Sequence, residues 1–229
     1  MNEILFIASI GFYFLGVLLA YKIFGKAGLF TWSAISAILA NIEAMKMVDM
    51  FGLSVTLGNA LYASNFVITD ILSENYSKEE ANKAVNIGLF TTIIWVLATQ
   101  LILKFEPNSI DFINNSLIEL FGFMPRIAIA SIFTYAVAQK IDVVLYHKVW
   151  RFTEKIFKDK NKGLWLRNNI STLTSQFIDT TVFTLIAFIG EMPFNEVVSL
   201  ILTTYILKAF VGVLDTPIIY IAKKMKTKQ

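Results

Sequence analysis

Long apolar stretches follow one another along most of the chain, and four of them contain no charged residue. These four stretches span residues 4–21, 27–42, 50–69 and 84–103. A helix needs about 20 apolar residues to cross the roughly 30 Å of hydrocarbon in a bilayer. Each stretch is at or near this length, so each predicts a transmembrane helix.

Three further stretches are apolar but interrupted by charge. They span residues 127–147, 168–190 and 197–222, and the charged residues inside them are Lys140, Asp142, Asp179, Lys208 and Asp215. In lipid the backbone must satisfy its own hydrogen bonds, so long apolar segments are helices. The pattern therefore predicts an all-α, polytopic helical bundle of six or seven transmembrane helices, with residues 1–229 forming a single integral membrane domain.

Composition excludes several classes of protein. Of the residues, 56% are apolar and only 16% are charged, against about 25% charged in a soluble globular chain. Without cysteine there is no disulfide framework, thiolate nucleophile or cysteine-ligated metal. One histidine, His147, does not suffice for a metal-transport site, and no motif of a serine hydrolase, P-loop or zinc protease is present. We therefore expect neither an enzyme nor a cofactor.

The distribution of basic residues predicts the orientation of the chain. With seven spans, fifteen of the 20 Lys and Arg residues fall on one side and three on the other. Basic loops face the cytoplasm, so we expect a cytoplasmic carboxy terminus and an external amino terminus. If stretch 27–42 only dips into the membrane, six spans remain and the amino terminus lies inside. The first stretch lacks signal-peptide features and is expected to be retained.

Polar residues recur on one face of the predicted helix that begins near residue 168. At 100° per residue, one stripe contains Asn168, Thr172, Ser175, Gln176 and Asp179, and Phe183 continues it. An ionisable side chain near the bilayer centre costs about 2.5 to 3.5 kcal/mol on insertion scales. Such a stripe therefore indicates a pathway or a pocket.

Other predicted helices carry similar faces. One face of the preceding span holds Ser131, Tyr135, Gln139, Asp142 and Tyr146, whereas Lys140 points elsewhere. On the third span Tyr62, Asn65 and Thr69 share a face with Asn59 and Asp70 at its margin, and Asn41 lies at the end of the second. These groups are expected to converge on one cavity.

The alternative is that these polar groups only join helix to helix. Interhelical hydrogen bonds of this kind contribute about 0.6 to 2 kcal/mol each, and this explanation is preferred for any single Ser or Thr. For Asp142 and Asp179 the functional explanation is preferred, because a buried anion needs a partner and neither helix offers a cation on the same face. Arg126 and Arg167, at span ends, could snorkel, pair with these acids or gate the pathway. Helix capping explains in part why polar residues occur at positions Asp70 and Asn168.

The predicted cavity suits a planar, nitrogen-rich solute. Aromatic rings supply stacking faces, and amides satisfy ring donors and acceptors. A carboxylate can accept two N–H bonds from an amidine-like edge such as that of guanine. The residue types thus predict a small nucleobase-like ligand.

Four segments carry a resemblance to a known family. They are residues 41–46, residues 69–76, the run from Arg126 through Ser131 and Gln139 to Asp142, and residues 165–179. In these segments the chain resembles the queuosine precursor transporters, small bacterial membrane proteins related to vitamin uptake transporters. It departs from the family after residue 72, where Ser-Glu-Asn-Tyr-Ser replaces a tendency toward Thr-Glu-Val-Tyr-Gly.

The resemblance implies a fold similar to the substrate-binding subunits of energy-coupling-factor transporters, in the bacterial inner membrane. It implies import of 7-deazaguanines for tRNA modification: 7-cyano-7-deazaguanine (preQ0), 7-aminomethyl-7-deazaguanine (preQ1) or queuine. Combined with the polar faces, it suggests that Asp179 or Asp142 accepts the ring N–H and amino groups. Amides would bind the carbonyl and pyrrole edges, and Tyr62, Tyr135 or Phe183 would stack on the base.

The candidate substrate-binding residues are Asn41, Tyr62, Asn65, Asp70, Arg126, Tyr135, Gln139, Asp142, Asn168, Thr172, Gln176, Asp179 and Phe183. The expected partners are a nucleobase-like small molecule and the lipid bilayer. No nucleic acid is expected, because a cytoplasmic loop such as 151–162 is normally basic. The sequence leaves open a homodimer, the energy source and the exact deazaguanine.

Two other classes of function remain at this stage. One is a substrate-binding subunit for a vitamin or another nucleobase that works with a separate ATP-driven module. It would need small-residue docking patches, for which Ala128 with Ala130 and Gly11 with Gly16 are weak candidates. The other is a structural membrane scaffold, which would tolerate alanine at Asp142, Asn168 and Gln176.

Overall fold

The computed structural model describes residues 1–122, 124–159, 162–191 and 193–225, and within them helices dominate. The elements are α1 (Asn2–Glu43), β1 (Met47–Met50), β2 (Leu53–Thr56), α2 (Asn59–Asn75), α3 (Lys78–Ile102), α4 (Asn114–Gly122), α5 (Met124–Phe157), α6 (Leu164–Phe188), α7 (Phe194–Leu214) and α8 (Thr216–Lys224). In this part of the chain, four helical stretches are long and apolar enough to cross a membrane: Asn2–Glu43, Lys78–Ile102, Ile129–Phe157 and Phe194–Lys224. The prediction of an all-α membrane bundle is confirmed at this level.

Helix α1 folds back on itself at Gly25. The backbone there leaves the helical region, with φ 58° and ψ −136°, a conformation that glycine adopts far more readily than other residues. The two arms, residues 2–24 and 26–43, pack together, because Trp32 of the second arm lies against Gly16 of the first. Tyr13 likewise donates a hydrogen bond to Glu43. The arms correspond to the predicted stretches 4–21 and 27–42.

The predicted helix over residues 50–69 is wrong in its first part. Residues 47–56 form an antiparallel β-hairpin in which Met47 pairs with Thr56 and Met50 with Leu53. Its turn residues, Phe51 and Gly52, have positive φ values of 54° and 75°, as the tight turns of β-hairpins require. Helix α2 begins only at Asn59.

Helix α2 is the centre of the bundle. All of its residues except Tyr62 and Glu74 are buried, so neighbours surround it on every side. It packs against α1, α3, α5, α7 and α8. A helix in this position brings the polar side chains of α2 close to those of α5 and α6.

The distribution of apolar and charged side chains is the reverse of that in a soluble protein. Large apolar residues such as Phe12, Phe90 and Leu97 are more than 60% exposed on the outer faces of α1 and α3. Charged residues such as Asp142 and Arg167 are fully buried. Lipid is an apolar solvent, so this distribution is the one expected of a membrane bundle.

The contacts between helix ends define two ends of the bundle. At the first, which we call the amino-terminal end, Asn2 donates to the Asp49 carbonyl at 3.0 Å and Arg126 pairs with Glu191 at 2.5 Å. At the second, the carboxy-terminal end, the Asn75 amide donates to the Tyr21 hydroxyl at 3.0 Å and to the Ala222 carbonyl. Successive long helices therefore run in alternating directions between the two ends.

Candidate functional site

A cavity of about 730 Å³, a figure that includes open space at its mouth, lies toward the amino-terminal end between α1, α2, α3, α5, α6 and α7. Thr56 at the end of β2 and Phe188 at the end of α6 mark this position along the bundle. Both polar and apolar side chains line the cavity. Five of the predicted residues line it: Asn41, Tyr62, Tyr135, Asp179 and Phe183.

The carboxylate of Asp179 is the central charged group of this cavity. The Tyr62 hydroxyl donates to its Oδ1 at 2.6 Å, and the Lys208 Nζ donates to its Oδ2 at 2.5 Å. Lys208 Nζ also lies 4.9 Å from the centre of the Tyr62 ring. Three helices, α2, α6 and α7, thus meet at one carboxylate.

Lys208 supplies Asp179 with the cationic partner that neither α5 nor α6 offers on the same face. This cation comes from α7, so the residue patterns of α5 and α6 do not reveal it. A signal was present, because Lys208 is a lysine inside the apolar stretch 197–222. In lipid such a lysine needs an anionic partner, and Asp179 supplies it.

Aromatic rings form one wall of the cavity. The Tyr62 and Tyr135 rings meet edge to face with centroids 6.0 Å apart, and Phe183 lies farther along the lining. Helix α3 approaches Tyr135 at Gly88, where an added Cβ would lie 2.5 Å from the tyrosine hydroxyl. The wall therefore combines flat apolar faces with the phenolic oxygens of two tyrosines.

Two glutamines lie next to the cavity residues, on the side of the carboxy-terminal end. Gln139 follows Tyr135 by one turn on α5, and Gln176 precedes Asp179 by three residues on α6. Both are buried, and within the described residues neither amide has a hydrogen-bond partner for its oxygen or its nitrogen. Buried polar atoms are rarely left unpartnered, so these amides indicate a binding function.

Asn65 belongs to the same layer. Its oxygen accepts a hydrogen bond from the Ser36 hydroxyl at 2.9 Å, whereas its buried nitrogen has no partner in the described part of the chain. The predicted amides of α2, α5 and α6 are thus all buried, and each retains unused hydrogen-bonding capacity.

A second polar layer lies beyond the glutamines. Each of its three carboxylates accepts one hydrogen bond: Asp142 from Ser175 at 2.8 Å, Asp70 from Thr172 at 3.4 Å, and Asp215 from Asn168 at 2.7 Å. All three acids are fully buried, and none of them lines the cavity. Asp142 and Asp179 therefore do not share one pocket, although both lie on the polar side of α6.

An ionic cluster closes the carboxy-terminal end. Glu74 accepts hydrogen bonds from Arg167 at 2.5 Å, from the Tyr146 hydroxyl at 3.0 Å and from Lys223. The Arg167 guanidinium also lies 4.3 Å from the ring centre of Trp150. Arg167 thus pairs with Glu74 and not with Asp142 or Asp179. Sequence reasoning did not single out Glu74, although it lies inside the resembling segment 69–76.

Arg126 lies apart from the other predicted residues. Its guanidinium pairs with Glu191 and donates to the carbonyls of Ile186 and Ile189, which ties the start of α5 to the end of α6. It does not line the cavity. The structure therefore places five predicted residues on the cavity wall and Arg126 outside it. Those buried between the cavity and the carboxy-terminal end are Asn65, Asp70, Gln139, Asp142, Asn168, Thr172 and Gln176.

Lipid-facing helices around a polar cavity with a charged centre define a class, the membrane transporters of small polar solutes. The family model described as "Putative vitamin uptake transporter" matches residues 56–222, which include α2 and α5 to α7. The chain belongs to the vitamin uptake transporter family.

Two curated relatives are described as "Probable queuosine precursor transporter". The one from Bacillus subtilis (strain 168) is 41% identical over 213 residues, which cover 93% of this chain and 91% of the relative. The one from Haemophilus influenzae (strain ATCC 51907 / DSM 11121 / KW20 / Rd) is 27% identical over 180 residues, covering 77% of this chain and 72% of the relative. No solved structure matches the chain significantly.

Proposed function

We propose that the protein imports queuosine precursors, 7-deazaguanine bases such as preQ0 and preQ1 or queuine, through the cavity around Asp179. The observation that carries the proposal is the buried Asp179 carboxylate held between the Tyr62 hydroxyl and the Lys208 ammonium. The descriptions of both relatives as probable queuosine precursor transporters support the choice of substrate class.

The chemistry of the cavity matches the edge of a guanine-type base. That edge presents two N–H donors next to one carbonyl acceptor. Asp179 can accept from the two donors while Lys208 donates to the carbonyl, and the pair is already adjacent at 2.5 Å. Tyr62, Tyr135 and Phe183 provide the faces on which the flat ring stacks.

The arrangement of the helix ends supports a seven-span topology in the inner membrane. Counting the two arms of α1 separately, and α7 with α8 as one crossing, gives seven passages between the two ends. Lys22, Lys26, Lys78 and Lys223 then share the carboxy-terminal end with the basic segment that follows α5, whose Lys160 lies outside the described residues, as do Lys226 and Lys228. By the positive-inside rule this end faces the cytoplasm, and the cavity opens toward the outside.

We propose that the protein works without a separate ATP-driven module. Of the small residues considered for docking such a module, Gly11 lies on an open helix face, but Ala130 is fully buried and Gly16 is covered by Trp32. The Ala128 side chain lies outside the described part of the chain. Residues of a single chain line the cavity, so we propose the monomer as the binding unit even where two copies associate.

The direct test is replacement of Asp179 by Ala or Asn, followed by uptake of labelled preQ0 into cells that cannot synthesise it. We expect uptake to fall at least tenfold, because the carboxylate that orients the base is lost. Glu106→Gln, which neutralises an exposed acid remote from the cavity, is the matched control and should retain full uptake. Unchanged uptake by Asp179→Ala at equal membrane abundance would remove Asp179 from the binding site.

A further inference from the structure

The three acids of the second polar layer have an unusual environment. Asp70, Asp142 and Asp215 come from α2, α5 and the α7–α8 junction, and each is 0% exposed. All three accept a hydrogen bond from the same polar stripe of α6, Asp142 from Ser175, Asp70 from Thr172 and Asp215 from Asn168. Each carboxylate uses one oxygen in a single hydrogen bond, and its second oxygen has no partner among the described residues.

No cation in the described part of the chain neutralises these acids. The titratable and charged groups on the elements around them include Tyr21 on α1, Tyr62 and Glu74 on α2, Tyr135, Tyr146 and His147 on α5, Arg167 and Asp179 on α6, Lys208 on α7 and Lys223 on α8. Of the cations, Arg167 and Lys223 bind Glu74, and Lys208 binds Asp179.

Three ionised carboxylates would be very unfavourable in this position. Removing a single charge from water without a partner costs several kcal/mol, and mutual repulsion adds to that cost. A proton removes the charge by converting COO⁻ to COOH, and it turns the unpartnered oxygen into an O–H donor. Acceptors for such donors are present, because the buried oxygens of Asn168, Gln139 and Gln176 are also unpartnered within the described residues.

The alternative counter-charge is a metal ion, which the geometry does not favour. No group of three or more His, Asp or Glu side chains among the described residues is arranged to hold one. The hydrogen bonds already present, from Ser175, Thr172 and Asn168, leave each acid with one free oxygen. One free oxygen can hold a proton, whereas a hard metal cation needs several oxygens arranged around it.

The three acids lie between the cavity and the ionic cluster around Glu74, at the end of the bundle that we propose faces the cytoplasm. On α6, Ser175 and Thr172 lie between Asp179 at the cavity and Arg167 at the carboxy-terminal end, a span of about 18 Å at 1.5 Å per residue. Gln139 and Gln176 occupy the step between Asp179 and the acids. A polar path therefore continues from the cavity through the acids to Glu74.

We infer that Asp70, Asp142 and Asp215 form a proton-carrying cluster that couples the import of the base to the inward movement of protons. This inference rests on the proposed function of the cavity. Protons enter from the outside, bind the carboxylates as the base binds near Asp179, and leave at the cytoplasmic end when the base is released. One acid thus releases its proton to the cytoplasm with each base and is protonated again from the outside before the next base binds, so the three acids need not be ionised together.

The test uses the purified protein in proteoliposomes with labelled preQ0, which carries no net charge. An inside-alkaline gradient of one pH unit should drive accumulation toward about tenfold for one proton per base, since one pH unit is a tenfold ratio of proton activity. A pH-sensitive dye outside the vesicles should report alkalinisation that depends on preQ0. A sodium gradient at equal pH should drive no accumulation.

Asp142→Asn tests the cluster separately from the cavity. It resembles the protonated acid in shape, so the variant should still exchange labelled for unlabelled preQ0 without a gradient. It should no longer accumulate preQ0 when a pH gradient is applied. Asp111→Asn, on an exposed loop where the amide oxygen can still cap α4, should keep both activities.

The outcomes separate the two proposals. If the unaltered protein shows no preQ0 exchange, the proposed function fails. If exchange occurs but a pH gradient drives neither accumulation nor proton movement, the coupling is wrong while the import function stands. Accumulation driven by sodium, or an Asp142→Asn variant that still concentrates preQ0, would also overturn the proton-carrying cluster. Asp70→Asn and Asp215→Asn provide the same readout if Asp142→Asn does not fold.

Discussion

Asp179 and Lys208 hold opposite charges in an interior that is nearly closed to solvent, with 3% and 7% of their surfaces exposed. Neither helix alone could carry its charge at this depth, because each charge would be desolvated without compensation. Their pairing joins α6 to α7 and places a donor and an acceptor side by side on the cavity wall. Stability and recognition therefore depend on the same two side chains.

Charge-neutral variants can separate these two contributions. Lys208→Met or Asp179→Asn alone leaves the partner unpaired, and we expect a loss of about 3 to 5 kcal/mol in the free energy of unfolding. The double variant should recover much of this loss, because no buried charge remains. Thermal unfolding in detergent gives the stabilities, and uptake should stay low in all three variants. If each single variant were as stable as the unaltered protein, the pair would contribute nothing to the fold.

Helical periodicity could predict which polar faces are buried, but only five of the thirteen candidate residues line the cavity. The stripe from Asn168 to Asp179 is buried on α6 as expected, and Lys140 is exposed while Asp142 on the same helix is buried. What periodicity could not supply is the partner across the bundle. The roles of Lys208 and Glu74 depend on contacts between helices, of α7 with α6 and of α2 with α6. The residue pattern on the face of a single helix does not reveal these contacts.

At the scale of elements, Gly25 and Gly11 have opposite requirements within the same helix α1. Gly25 makes the turn between the two arms at φ 58°, whereas Gly11 is helical and an added Cβ there would meet no atom within 4 Å. Alanine should therefore be unfavourable at one position and favourable at the other.

We expect Gly25→Ala to destabilise the protein by roughly 1 to 3 kcal/mol, the cost of a strained backbone conformation. Gly11→Ala should stabilise it by up to about 1 kcal/mol, because alanine is the better helix former. Thermal unfolding of both variants in the same detergent measures the difference. Equal effects of the two substitutions would mean that α1 does not fold back at residue 25.

Helix α7 approaches α6 closely at Gly212. A Cβ added there would lie 3.1 Å from Thr172 Cγ2 and 3.3 Å from Gln176 Nε2. Gly212→Val should therefore push Gln176 out of place, and we expect uptake to fall several-fold with only moderate loss of stability. Gly11→Val is the matched control on an open helix face. Full uptake by Gly212→Val would show that the position of Gln176 is unimportant for transport.

Element boundaries were predicted less well than element types. The apolar stretch 50–69 has no charge that would end a helix, so composition alone could not reveal the β-hairpin over residues 47–56. The turn at Phe51 and Gly52 was hard to recognise, because only one of its two positive-φ residues is a glycine. The arms of α1 were easier, since a polar interval with Lys22 and Lys26 separates the two stretches.

At the scale of the whole molecule, the bundle is apolar outside and polar inside, with the polar groups arranged in layers between its two ends. The cavity with Asp179 lies toward the amino-terminal end, and the Glu74 cluster closes the other. This arrangement of polar layers gives a solute a binding site near one face of the membrane. It also leaves a continuous polar route along α6 toward the other face.

The central claim is that the cavity recognises the edge of a guanine-type base, and competition measures this most directly. Labelled preQ0 uptake by the purified protein in vesicles is challenged with excess unlabelled preQ0, preQ1 or adenine. Adenine presents an acceptor where the guanine-type edge presents its ring N–H, so it cannot satisfy Asp179. The account predicts that both deazaguanines abolish labelled uptake while adenine leaves it nearly unchanged. Inhibition by adenine equal to that by preQ0, or no saturable uptake of any base, would contradict it.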